Sequence, residues 1–322
     1  MTLKLFFPGF NSLARSANNF RVSIKNERNP AAMKRYELSF PSINSERYVK
    51  TITALVMEPD KIDEDTGVML FSHGWSGNRY QNLDKMEFTV DTYNLVCVSV
   101  EYRQSGFDFD PVTGLGSYRP YDYSFMQVFD VLNGLRQILE LRPGLNRRRI
   151  FHYGGSQGGH VALLSALYAP ATFSFVYAAS PLVRVARPFD ERAGRTFSEY
   201  EKLVRDTVHH AGCFRCFLCL EHGTEDQTVY HEDHTVKLEA RLEELGKDCR
   251  VEYISGGGHN LSPTTTRYES FVKKAPEYLE RCAGEGADDF SGGTVVELDC
   301  GCRTFTIDWS KRGDSTDLIS WY

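Results

Sequence analysis

At 322 residues, with 41% hydrophobic and 25% charged side chains, the chain has an ordinary globular composition and the length for one large domain with additions or two modest ones. A net charge of -6 and a pI near 5.9 exclude a general nucleic-acid binder, which needs a basic face. The first sixteen residues carry an apolar run broken at Pro8, too short for an export signal, and no later stretch approaches the ~18 apolar residues of a spanning helix, so a soluble, cytoplasmic protein is expected.

Residues 1–34 show weak periodicity and read as a lead-in. Tyr36, Leu38 and Phe40 alternate, a polar cluster from Ser42 to Ser45 turns the chain, and the segment from Tyr48 to Met57 alternates again, which is a hairpin pattern. Gly67 to Phe71 is continuously apolar, as in a strand buried on both faces, and runs into His73-Gly74-Trp75-Ser76-Gly77. A polar helix is expected from Asn82 to Tyr93, a buried strand from Asn94 to Val100, and a long Gly-, Pro-, Tyr- and Asp-rich loop over 104–122. Phe129, Leu132, Leu135, Ile138 and Leu139 recur at helical spacing and predict a helix from Phe125 to Leu141, stopped by Pro143-Gly144.

Ile150 to Tyr153 reads as a strand, Val161 to Ala169 as a helix closed by Pro170, and Phe173 to Ala179 as a further strand. A polar, helical insertion over 181–212 precedes a strand from Phe214 to Leu220, an amphipathic helix from Thr235 to Leu245, a last strand from Arg250 to Ile254 and a closing helix over 263–282. Strands alternating with helices predict an α/β fold built on a mostly parallel twisted sheet flanked by helices. Thr294 to Asp299 and Arg303 to Trp309 alternate around Cys300-Gly301-Cys302, a hairpin too short to fold alone. It is expected to extend the main sheet or to contact a second copy of the chain. The expected organisation is a lead-in over 1–34, a main domain over 35–282 and a C-terminal extension over 283–322.

The chemistry centres on Gly154-Gly155-Ser156-Gln157-Gly158, a G-x-S-x-G turn between a short apolar strand and a helix. A serine lifted out of a sheet by such a turn is placed as a nucleophile, and glycines such as Gly154 and Gly158 let the backbone close tightly around it. A serine hydroxyl needs a base within hydrogen-bond reach and a third group to hold that base. Asp226, just past one strand, and His259, after a strand and the run Gly256-Gly257-Gly258, supply them in the order Ser, Asp, His. Taken singly, each is an ordinary turn or surface residue; jointly, after successive strands, they form a triad. The oxyanion of an acyl-transfer intermediate needs backbone donors. The N–H of Gln157, opening the helix after Ser156, is one, and the N–H of Trp75, in the loop after the Gly67–Phe71 strand, is the other; packing is the alternative role for Trp75.

The chain has eight cysteines. With no export signal they are expected as free thiols. Cys213-x-x-Cys216-x-x-Cys219 has the look of a metal motif, but it runs into a strand, where residues three apart face opposite ways, so no metal and no cofactor is expected.

In order, HGWSG, VEYRQSG, YGGSQGG, HGTEDQTV and GGGHNL resemble the landmarks of the α/β-hydrolase superfamily over about residues 65–282, with the flavour of its prolyl-oligopeptidase-like branch. The resemblance implies the α/β-hydrolase fold, with Ser156 as nucleophile, Asp226 as acid and His259 as base. It also implies a lid over the site at 181–212. Only residues 1–64 precede the resemblance, too few for the β-propeller of the oligopeptidases, and no paired-glutamate motif for a substrate amino terminus shows. The expected activity is therefore cleavage of a carboxylic ester, thioester or amide through an acyl-enzyme. A small-peptide peptidase, an acyltransferase and a non-catalytic binding scaffold are the rivals. The expected partner is a small acyl ester or short peptide, with no nucleic acid and no membrane. Arg184, Arg187, Arg192, Arg195 and Arg205 in the insertion are nearly balanced by Asp190, Glu191, Glu199, Glu201 and Asp206, the pattern of a solvated face. Tyr102, Tyr118, Tyr121, Tyr123 and His160 are candidates for lining the cleft.

Overall fold

The computed structural model describes residues 33–43, 51–106, 109–110, 115–116, 120–187, 189–284 and 286–322. The chain order is β1 (Lys34–Pro41), β2 (Thr51–Glu58), β3 (Gly67–Ser72), α1 (Leu83–Tyr93), β4 (Leu95–Glu101), the two-residue strands β5 (Phe109–Asp110) and β6 (Leu115–Gly116), then α2 (Phe125–Leu141), β7 (Ile150–Gly155) and α3 (Gln157–Tyr168). There follow β8 (Phe175–Ala179), α4 (Phe189–Arg192), α5 (Glu199–Leu203), β9 (Phe217–Gly223), α6 (Thr235–Glu244), β10 (Cys249–Ile254), α7 (Arg267–Arg281), α8 (Asp289–Gly292), β11 (Val295–Asp299), β12 (Thr304–Asp308) and β13 (Ile319–Trp321).

The main sheet runs β1-β2-β4-β3-β7-β8-β9-β10. From β4 to β10 every pairing is parallel, and β1 and β2 add an antiparallel edge. The central strands β3, β7 and β8 are buried at every position, as their unbroken apolar runs require. One face packs on α1 and α7 through Met86, Val90, Phe271 and Leu279. The other packs on α2, α3 and α6 through Phe129, Leu132, Leu163, Leu167 and Leu238. This is the α/β-hydrolase fold. The crossovers bring the loops after β3, β7, β9 and β10 to the carboxyl end of the sheet, where open α/β sheets hold ligands.

Three expectations need correction. The helix after Ser156 begins at Gln157, four residues before the apolar run from Val161: glycines lower helix propensity, but here the turn itself starts the helix. The strand before the acid loop runs from Phe217 to Gly223, three residues later than its apolar run, and Cys213 lies in the single helical turn that precedes it. The C-terminal residues do not join the main sheet. β11, β12 and β13 form a separate antiparallel sheet, with β13 adding a strand to the hairpin. That sheet covers α2 and α3: Phe305 meets Phe125, Phe129 and Tyr168, and Trp309 Nε1 donates to the Tyr168 carbonyl at 2.8 Å. Burying its apolar face there satisfies the hairpin without a sheet edge.

Candidate active site

Ser156 occupies the sharp corner between β7 and α3, with φ 57° and ψ -124°, a backbone conformation that costs a non-glycine residue energy and lifts its side chain clear of the sheet. Two contacts explain the flanking glycines. A Cβ on Gly154 would lie 2.0 Å from the Gly158 carbonyl oxygen, and one on Gly158 would lie 2.3 Å from that of Ser72. The corner is pinned from the next strand, since the Ser156 N–H donates to the Ala179 carbonyl at 2.8 Å.

His259 Nε2 stands 2.9 Å from Ser156 Oγ, and its Nδ1 stands 2.7 Å from Asp226 Oδ2. Asp226 is buried, and its other oxygen, Oδ1, accepts from the Thr228 and Val229 amides at 2.8 and 2.9 Å. Burial alone would raise this carboxyl, but hydrogen bonds from His222 and His259 outweigh it and hold Asp226 well below the usual carboxylate range. The hydroxyl, ring and carboxylate predicted from sequence are thus brought into one hydrogen-bonded line.

His222, which the sequence reading passed over, also binds Asp226. Its Nε2 lies 3.0 Å from Asp226 Oδ2 and 2.8 Å from the Val229 carbonyl, and its Nδ1 lies 2.6 Å from Thr235 Oγ1. With two acceptors in front of Nε2, that nitrogen carries the proton. The only sequence signal was its place in HGTEDQTV, four residues ahead of the acid. Arg267, the first residue of α7, holds the His259 loop by donating from Nη2 to the His259 carbonyl at 2.6 Å. Its position is set by a capping box in which Thr266 Oγ1 accepts from the Glu269 amide at 3.1 Å and Glu269 Oε2 accepts from the Thr266 amide at 2.9 Å.

The loop after β3 makes a tight turn, closed by the Gly77 amide on the Gly74 carbonyl at 3.0 Å, with Ser76 at φ 62°. The Gly74 amide is engaged by Gln81 Oε1 at 2.7 Å. The Trp75 indole stacks on Tyr121 at 4.3 Å and meets Phe189 of α4 at 5.9 Å, so it packs against the 181–212 insertion as well. His73 stacks under this loop on Tyr102 at 4.0 Å, and burial pulls its imidazole down to about 4, keeping it neutral.

The sequence candidates for cleft lining are engaged inside the protein. Tyr102, Tyr121, Tyr123 and His160 are fully buried. Tyr102 Oη donates to the His73 carbonyl at 2.7 Å, and His160 Nε2 meets the Arg205 carbonyl at 2.8 Å. Tyr121 Oη donates to Gln157 Oε1 and accepts from Gln127 Nε2, both at 3.0 Å, which orients the first residue of α3. Tyr118 lies outside the described residues. Arg205, counted as part of a solvated face, is instead buried, donating to the Tyr123, Glu201 and Asp122 carbonyls. Among the described residues no three His, Cys, Asp or Glu side chains gather where they could hold a metal ion, and no helix is long and apolar enough to cross a membrane.

Residues 122–286, about half of the chain, match the prolyl oligopeptidase family. Carboxylesterase SOBER1 of Arabidopsis thaliana is 28% identical over 184 residues, which cover 56% of this chain and 67% of that protein. An acylaminoacyl peptidase solved in complex with Z-Gly-Gly-Phe-chloromethyl ketone superposes with a TM-score of 0.64 at 20% identity, over 78% of this chain and 42% of that one. A putative dipeptidyl aminopeptidase IV from Bacteroides ovatus superposes at 0.60 with 15% identity, over 77% of this chain and 36% of that one. The chain therefore spans less than half the length of these two enzymes, and at such identities the likeness carries the fold alone.

Proposed function

The chain belongs to the prolyl oligopeptidase family of serine hydrolases, and from that premise we propose that it cleaves a carboxylic ester, or a related thioester or amide, through an acyl-enzyme formed on Ser156. The observation that carries the proposal is the unbroken hydrogen-bond line from Ser156 Oγ through His259 to Asp226. His259 Nε2 takes the serine proton as the oxygen attacks the substrate carbonyl. Asp226 keeps the proton on Nδ1 and stabilises the imidazolium that forms. The developing oxyanion is held by the amides of Gln157, reinforced by the dipole of α3, and Trp75. His259 then protonates the leaving group, and water, activated by the same ring, releases the acid. Tyr121, bonded to the Gln157 side chain, and Tyr102, bonded to the His73 carbonyl, act as positioning residues behind these donors.

The ester reading draws support from the 28% identity to a carboxylesterase. The family match makes peptide amides the rival substrate. A fluorophosphonate probe is expected to label Ser156 in the folded wild type. Ser156→Ala abolishes labelling and lowers kcat on short acyl esters by at least about 10⁴-fold. Folded wild type that stays unlabelled would sink the triad. Turnover of aminoacyl amides without turnover of acyl esters would move the assignment to a peptidase.

A further inference from the structure

Beside the nucleophile lies a cavity of about 200 Å³ that the mechanism above does not use. Two of its walls are also walls of the active site. A Cβ on Gly74 would stand 3.6 Å from the Ser156 Cβ, and Gly155 immediately precedes the nucleophile. Asn260, next to the base, forms part of its exposed rim. The interior is lined by two cations, Lys85 of α1 and Arg267 of α7.

The polar groups facing this space are poorly matched. Lys85 is buried, and its nearest carboxylate, Asp84 Oδ1, is 3.4 Å away on a half-exposed side chain. Its ammonium otherwise lies over the Tyr153 ring at 5.5 Å. Arg267 uses Nη2 on the His259 carbonyl, while its Nε is buried and finds no partner among the described residues. The hydroxyl of Tyr153, a residue 1% exposed, is likewise without a partner among them. Glu221, whose charge reaches both Lys85 and Arg267, has its Oε2 paired with Lys274 Nζ at 2.8 Å, while its Oε1 is buried and finds no partner among the described residues. Burial lowers both Lys85 and Arg267 from their ordinary values, so an incoming negative charge would relieve both. Buried donors left unsatisfied are costly, and two cations, with the unmatched Arg267 Nε–H and Tyr153 O–H beside them around one small cavity, are the makings of an anion site.

We infer that the cavity walled by Lys85, Arg267 and Tyr153 is a subsite for a carboxylate on the substrate, so that the enzyme selects esters carrying a carboxylate a few atoms from the scissile carbonyl. This rests on the assignment of Ser156 as nucleophile. The carboxylate sits on the acyl side or on the leaving-group side, and three matched esters separate the two: ethyl butyrate as neutral reference, monoethyl succinate, and butyryloxyacetate.

Succinate at millimolar concentration is expected to protect Ser156 from fluorophosphonate labelling at pH 7. One of the two anionic esters is expected to exceed ethyl butyrate in kcat/KM by about tenfold or more. Asn260→Asp, an exposed and isosteric change that sets a negative charge at the rim, lowers that ratio about tenfold and abolishes the protection. Lys85→Met lowers the same ratio. Labelling that succinate leaves unaffected, or a preference that neither variant changes in folded protein, overturns the subsite. Folded wild type that takes no label at all overturns the nucleophile assignment instead.

Discussion

At Ser156 the local backbone conformation, and not the side chain alone, makes the site. The positive φ is stabilised by the Ala179 carbonyl and by two glycines whose Cβ atoms would collide with main-chain carbonyls. Asp226 is held with similar redundancy, accepting from two amides and two imidazoles. His222 is the partner whose removal reports on positioning alone, because it touches no substrate. His222→Ala strips one donor from Asp226 and leaves Thr235 Oγ1 and the Val229 carbonyl short of a partner. It is expected to lower kcat about tenfold with KM changed less than twofold, since only the orientation of the base suffers. Stopped-assay kinetics on a short acyl ester checks this, and a rise in KM with unchanged kcat would contradict it. Ser156, Asp226 and His259 were legible because each sits in a short motif whose glycines mark a turn. His222, Lys85 and Arg267 were not, because the significance of each depends on what the fold brings to its side chain.

Element boundaries followed apolar runs where packing and propensity agree and departed from them where geometry decides. The helix from Phe125 to Leu141 begins and ends where its periodicity predicts, since its apolar stripe lies flat on the sheet. α3 starts inside a glycine-rich turn because the Ser156 carbonyl accepts from the Gly159 and His160 amides, closing the first helical turn at the corner itself. The C-terminal sheet shows the same lesson at larger scale. Alternation in 294–309 announced strands, but not their neighbour, and apolar alternation does not specify whether a strand pair seeks a sheet edge or a helix surface. Here Trp309, 1% exposed, wedges against Phe129 and Phe290 and ties the sheet to α3. We expect residues 283–322 to fold as one unit with the core. Trp309→Ala should then cost about 3–5 kcal/mol in urea unfolding, with a single transition. A cost below about 1 kcal/mol, or a separate early transition, would show the extension to be an independent appendage.

Across the molecule, five histidines are held as buried neutral groups. Burial pulls His73, His160 and His210 down to about 4 and His152 and His234 to about 3. An unfolded histidine titrates near 6.5. Between that value and the folded values the unfolded state binds more protons, so stability falls as pH falls from about 6.5 toward about 4. Asp226, depressed in the folded state, adds its loss only below the ordinary carboxylate range. The melting temperature is accordingly expected to drop steeply from pH 6.5 to pH 4 and to change little from pH 7 to pH 8. A flat profile down to pH 4 would mean that these rings are not neutral inside the fold.

The amino-acid sequence by itself determined the alternation of strands and helices, the order Ser156, Asp226, His259, and the turns that carry them, because periodicity and glycine placement act over a few residues. Only the tertiary structure decided which face the C-terminal sheet covers, that a second imidazole steadies Asp226, and that Lys85 and Arg267, 182 positions apart, line one cavity beside Ser156. The last of these depends on helices α1 and α7 packing side by side on one face of the sheet, a long-range pairing that no local pattern encodes.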